Sequence, residues 1–171
     1  MFSTVAIIPT GDELVSGIIK DTDSPELMSI LLDVNPCAKI TKCAPVVDQE
    51  VAITASIKDC VRNGYDLVII IGGSGEGHRH SSILGKDFTH NSLEAILDAK
   101  YSTKIYGKNG HMWSELIIGT LENSLVFNVP GPYEEVVATV SAFTDCYQKN
   151  PDDIQGINMN MVQALKAKYG A

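Results

Sequence analysis

Asp66-Leu67-Val68-Ile69-Ile70-Ile71-Gly72-Gly73-Ser74-Gly75-Glu76-Gly77 is the stretch that decides the fold. Five consecutive aliphatic residues, bounded by Gly64 behind and Gly72 ahead, leave no polar face. A strand that must be covered on both sides belongs in the middle of a parallel sheet. The run then stops abruptly in glycines. Gly72, Gly73 and Gly75 allow a tight turn and leave backbone N–H groups unshielded by side chains, which favours an approaching anion. A phosphate-bearing ligand is the natural candidate.

Upstream, Thr4 to Pro9 reads as a first strand, and Thr10-Gly11-Asp12-Glu13-Leu14 turns away from its carboxyl end. Open α/β sheets place ligand loops at that edge. Asp23-Ser24-Pro25-Glu26 is a helix start, with a capping side chain ahead of Pro, and Leu27, Ile30, Leu31 and Val34 form an apolar stripe that stops at Asn35-Pro36. A second strand is expected within Ala38 to Val47. Asp48 then reads as the cap of a helix carrying Val51, Ile53, Ile57, Cys60 and Val61 inward.

Downstream, the polar segment from Gly72 to Asn91 is long for a connection inside a compact domain, and such loops are commonly functional or mobile. A helix is expected from Asn91 to about Ala99, and a strand over Tyr101 to Tyr106. Glu115 to Leu121 and Leu125 to Val129 read as two strands joined by a short turn, the second ending in Pro130-Gly131-Pro132. Val136, Val140, Phe143 and Tyr147 mark one face of a further helix. Residues 1–150 thus read as one domain. Residues 151–171 form a helical tail, with Ile157, Met161 and Leu165 inward, that packs on the domain or on a neighbouring subunit. Alternating strands and helices predict an α/β chain: a three-layer α/β/α sandwich with a mostly parallel sheet and one hairpin.

The 171 residues are about one domain long, and 44% apolar content suffices for a core. Acidic residues outnumber basic ones by 21 to 13, for a net charge of −8. That balance argues against a broad nucleic-acid or anionic-membrane surface, so any phosphate must be held locally. No stretch is long and apolar enough to span a bilayer, and Val5-Ala6-Ile7-Ile8 reads as a strand rather than a signal peptide. Cys37, Cys43, Cys60 and Cys146 show no CxxC spacing and read as free thiols in a reducing cytoplasm. His78, His80 and His90 suggest a metal less well than solvated histidines do. His111 and Trp113 are open between packing residues and a stacking platform.

Taken in order, the three loops resemble the molybdopterin-binding domain family, which includes the MoaB/Mog proteins, the central domain of MoeA and the CinA-type domain. Gly11-Asp12-Glu13-Leu14 followed by Ser16-Gly17 and Asp21-Thr22-Asp23 is similar to the opening motif of the CinA and MoeA branches, with Asp23 where Asn is usual. Val47-Asp48 fits a position where relatives carry an acidic residue. Gly72-Gly73-Ser74-Gly75 resembles the family's Gly-Gly-Thr-Gly turn, and Val129-Pro130-Gly131-Pro132 its late Leu-Pro-Gly motif. Lys86-Asp87-Phe88-Thr89 is the best equivalent of an Arg-Asp-x-Thr element. A competing alignment, without the insert from Glu76 to Gly85, puts His80 at its acidic position.

The resemblance implies a molybdenum cofactor biosynthesis protein that binds molybdopterin, with adenylylation by MgATP as the associated activity. It assigns Asp48 and Asp87 as catalytic residues. Gly11, Asp12, Glu13, Asp23, Gly72, Gly73, Ser74, Gly75, Pro130 and Gly131 become ligand-binding residues, and Asp12 and Glu13 carry Mg²⁺. A homo-oligomer, trimer or dimer, is expected, and a molybdoenzyme is a further partner. Two alternatives stand beside this reading: a CinA-like metal-dependent nucleotide-sugar pyrophosphatase, and a non-enzymatic molybdopterin carrier.

Overall fold

The structure, a computed structural model, describes residues 1–75, 88–108 and 110–168. Within them the chain runs β1 (Thr4–Pro9), α1 (Asp12–Val15), α2 (Asp23–Val34), β2 (Lys39–Lys42), α3 (Glu50–Arg62) and β3 (Leu67–Ile71). It continues as α4 (Thr89–Ile96), β4 (Lys100–Tyr106), β5 (Met112–Leu121), β6 (Ser124–Val129), α5 (Tyr133–Tyr147) and α6 (Ile154–Lys168). The strands form one sheet in the order β2-β1-β3-β6-β5-β4. The first four are mutually parallel, with β3 between β1 and β6. Every residue of β3 is buried, as a strand with no polar face requires.

Two apolar layers cover the sheet. On one face Leu27 and Leu31 of α2, Val136, Val140 and Phe143 of α5, and Ile157, Met161 and Leu165 of α6 pack on Val5, Ile7, Ile69 and Phe127. On the other, Ile53 and Ile57 of α3 and Leu93 of α4 pack on Ala6, Ile8, Val68 and Ile70. The helix therefore changes face between the β1-to-β2 crossover and the β2-to-β3 crossover. This is what right-handed connections demand when the direction of travel along the sheet reverses. Each fully buried Leu, Ile or Phe contributes about 1.5–3 kcal/mol, so the two layers dominate the favourable side of the balance.

The fold class is the expected three-layer sandwich, with a larger antiparallel part than one hairpin. β4, β5 and β6 form a meander: β4 pairs antiparallel with β5, and β5 with β6. The second turn is the two residues Glu122-Asn123, and Glu122 adopts φ 53°, as tight hairpin turns require. α6 lies on the chain's own sheet. Asn158, fully buried, donates its amide to the carbonyls of Leu116 (3.0 Å) and Tyr101 (3.4 Å) and accepts from the Thr103 hydroxyl at 2.6 Å.

Local details depart from the sequence expectations at helix starts. α2 is capped by Asp21, whose Oδ1 accepts from the N–H groups of Asp23 (3.2 Å) and Ser24 (2.9 Å). Asp48 is not the cap of α3: the preceding residue is Gln49, with no side-chain cap bond. Val51 is 82% exposed rather than inward, because the helix begins two residues beyond Asp48 and its stripe starts at Ile53. α4 begins at Thr89, two residues before Asn91.

Candidate functional site

Parallel strands that alternate with helices bring their carboxyl ends to one edge, and here hydrogen bonds fasten three of those ends side by side. The Thr10 N–H and hydroxyl both donate to the carbonyl of Ile71 at 2.9 Å. The Gly72 N–H donates to the carbonyl of Val129 at 3.0 Å. The loops after β1, β3 and β6 therefore adjoin at the sheet's carboxyl edge. The chain reverses its direction along the sheet between β1 and β3, which is where open α/β sheets hold ligands.

This closeness depends on glycine. Gly72 has φ +96°, and a β-carbon there would stand 2.9 Å from Thr10 Oγ1 and 3.1 Å from the Thr10 carbonyl oxygen. Gly73 has φ +63°, and a β-carbon there would collide with the Thr89 hydroxyl at the start of α4. Side-chain-bearing residues rarely adopt such backbone, and neither position has room for one.

The loop after β3 is also wedged against β5, and one buried amide makes space for it. The β5–β6 ladder runs from Leu121↔Ser124 to Ile118↔Phe127. Next on β6, the wholly buried Asn128 side chain accepts from the Ile117 N–H at 2.7 Å and donates to the Glu115 carbonyl at 2.8 Å. The side chain stands in for backbone pairing, so the Glu115 N–H is left to donate to the Ser74 carbonyl at 2.7 Å. The Ser114 hydroxyl donates to the Ser74 hydroxyl at 3.0 Å, so among the described residues the Ser74 O–H is left as a donor for a further partner. Sequence reasoning missed Asn128. A polar residue inside the apolar run Leu125 to Val129 was the available signal.

The first loop is held from the other side. Val46 accepts from the Gly11 N–H at 3.0 Å and donates to the Pro9 carbonyl at 2.9 Å, while the Asp48 N–H donates to Asp12 Oδ1 at 3.2 Å. This contact brings Asp12 and Asp48 together. Asp12 and Glu13 are exposed, Gly11 and Pro130 are buried, and Gly131 is exposed at the start of the third loop.

Asp23 lies at the amino end of α2, on the same edge. Burial, and then the neighbouring Asp21 charge, push its carboxyl above the usual range. Asp21 behaves oppositely: burial opposes its ionisation, but hydrogen bonds from Lys42 and Ser24 hold it below the usual range. Its Oδ2 lies 2.9 Å from Lys42 Nζ. At the amino end of α5, the nearby Glu26 carboxylate pushes the Tyr133 hydroxyl above its ordinary pKa.

The structure thus brings together Gly11, Asp12, Glu13, Asp48, Gly72, Gly73, Ser74, Gly75, Pro130 and Gly131, with Asp23 at the start of the adjoining helix. Asp87, His78 and His80 lie outside the described residues. Trp113 packs, half-buried, against the core beside Ser114, and His111 is exposed. Among the described residues no three His, Cys, Asp or Glu side chains form a metal-binding group. Nor is any helix among them long and apolar enough to cross a membrane.

The sequence model of a family described as "Probable molybdopterin binding domain" matches residues 6–149. No curated protein matches the chain. Among solved structures, the chain is similar to the molybdopterin biosynthesis enzyme MoaB from Thermus thermophilus, at 19% identity and TM-score 0.64, over 94% of this chain and 97% of that one. It is also similar to a molybdopterin biosynthesis protein from Mycobacterium abscessus, at 17% identity and TM-score 0.66, over 98% of each chain. A third, the protein CinA from Thermoplasma acidophilum, is 15% identical with TM-score 0.63, over 87% of this chain and 98% of that one.

Proposed function

Because the chain belongs to the molybdopterin-binding domain family, we propose that it binds molybdopterin at the carboxyl edge of its sheet and transfers adenylate to it from MgATP. The observation that carries this reading is the convergence of Thr10-Gly11, Gly72-Gly73-Ser74 and Pro130-Gly131 through direct hydrogen bonds and glycine contacts. The glycine turn after β3 and the Ser74 hydroxyl supply donors for the terminal phosphate. The amino end of α5 begins just behind Gly131 and adds a positive partial charge.

Among the described residues, carboxylates stand in the loops of this edge. Asp12, Glu13 and Asp48 would repel a bare polyphosphate, whereas a nucleotide arriving as its Mg²⁺ complex is met by carboxylates suited to that cation. Mg²⁺ is commonly held by one or two carboxylates together with substrate phosphates, so the exposed Asp12 and Glu13 fit that role without a third protein ligand. We assign Asp48 to act on the reacting groups, a reading supported by the bond from its N–H to Asp12 at 3.2 Å. Adenylyl transfer needs little covalent help from protein beyond positioning and charge neutralisation.

The test is incubation of purified protein with molybdopterin and MgATP. Retained pterin and an adenylylated product support the reading, and the absence of both excludes it. Retained pterin without turnover, before and after Asp48→Ala, would assign a carrier instead. AMP release from ADP-ribose without pterin would assign a nucleotide-sugar pyrophosphatase.

A further inference from the structure

Cys43 and Cys60 are 17 residues apart in sequence, yet their sulfurs lie 3.8 Å apart. Cys43 extends β2, its N–H donating to the Ile7 carbonyl at 2.8 Å, and its side chain is half-buried. Cys60 lies in the last turn of α3 and is buried in the core layer against which Cys43 packs. Both are free thiols. Between them runs the connection that holds the first site loop, through Val46 to Gly11 and through Asp48 to Asp12.

We propose that Cys43 and Cys60 are an oxidation-sensitive dithiol, which a hydroperoxide converts to an intramolecular disulfide that closes residues 43–60 around this connection. The half-exposed Cys43 is the sulfur that meets the oxidant, and the buried Cys60 resolves the product. The contact between the two sulfurs favours ionisation at the more exposed Cys43, while that contact and burial push the Cys60 thiol up. The Cys43 thiolate attacks one peroxide oxygen. The O–O bond breaks, and with hydrogen peroxide the leaving hydroxide takes up a proton as water. The Cys60 sulfur then attacks the Cys43 sulfenic acid, the S–O bond breaks, and a second water departs with the thiol proton. The two sulfurs together lose two electrons and the peroxide gains them. Closing the gap to a bonded distance of about 2.0 Å requires a side-chain and local backbone adjustment.

The site proposal for molybdopterin is not needed for this one, and the experiment reads thiols rather than ligand. The full chain is treated with hydrogen peroxide, alkylated, and analysed by intact mass and peptide mapping. Expected are the loss of two hydrogen atoms, protection of two of the four cysteines, a Cys43–Cys60 peptide pair, and reversal by dithiothreitol. Four alkylated cysteines, a crosslink between chains, or a bond through Cys37 or Cys146 would overturn the proposal. Cys60→Ala should stop the reaction at a Cys43 sulfenic acid that a dimedone-type reagent captures. Should that variant fail to fold, Cys37→Ser/Cys146→Ser retains the pair and must show the same mass loss and reversal; its absence overturns the proposal equally.

Discussion

The α-carbon of Gly72 sits so close to Thr10 that a β-carbon would lie 2.9 Å from the Thr10 hydroxyl and 3.1 Å from its carbonyl oxygen. Gly131 touches the same place from the other side: a β-carbon built on it would stand 3.8 Å from the Gly72 α-carbon, an ordinary contact. Three strand ends therefore adjoin at one glycine.

Gly72→Ala is expected to destabilise the fold by about 1–3 kcal/mol, from strained backbone and the clash with Thr10. Gly131→Ala should leave thermal stability within about 0.5 kcal/mol of the parent. If the third loop meets the ligand through bare backbone, Gly131→Ala will weaken pterin binding without lowering Tm. Thermal melts beside pterin titrations separate the two, and unchanged binding would remove Gly131 from the site.

Asn128→Leu should cost about 2–4 kcal/mol, because the Ile117 N–H and Glu115 carbonyl are both left buried and unpaired. The loss should be accompanied by faster hydrogen exchange at the Glu115 amide, whose partner is the Ser74 carbonyl. A variant with parental stability and exchange would show that the amide does not hold the strands apart.

Asp12→Asn keeps an oxygen to accept from the Asp48 N–H but removes the charge. Folding should be nearly unaffected. If Asp12 carries the cation, kcat/KM for MgATP should fall on the order of tenfold or more, about 1.4 kcal/mol at the transition state. An unaltered kcat/KM and Mg²⁺ dependence would exclude that role.

Asp21 and Asp23 should pull the pH dependence of stability in opposite directions. Asp21 is held below its ordinary 3.8, so its contribution is present above that pH and is lost as pH falls through its folded value. Asp21→Ala should cost about 1–2 kcal/mol near neutrality through the lost helix cap, and less in acid. Asp23 is raised above 3.8, so stability from its protonated form is present below that pH and lost as pH rises through its folded value. Asp23→Asn should therefore raise Tm at pH 7. Parallel melts across pH check both signs, and a lowered Tm for Asp23→Asn at pH 7 would contradict the second.

Much of the fold was legible because burial leaves a local signature. Leu67 to Ile71 has no polar face and became the central strand, all five residues buried. The stripes Leu27/Leu31, Ile53/Ile57, Val136/Val140/Phe143 and Ile157/Met161/Leu165 became the inward faces of four helices. Helix starts were less legible. Asp21 and Asp48 are each suited to capping by residue type, and only the path of the preceding chain decided that one caps α2 and the other reaches Asp12.

By itself the sequence determined the alternation of strands and helices and the turn residues at the carboxyl ends of β1, β3 and β6. Hydrophobic period and glycine placement are encoded within a few neighbouring residues, and parallel connectivity sends those ends to one edge. Only the tertiary structure decided that Asn128 parts β5 from β6 to admit Ser74, that Asp48 docks on Asp12, and that Cys43 faces Cys60. Those contacts depend on strand divergence and side-chain direction between segments distant in the chain, which no local pattern records.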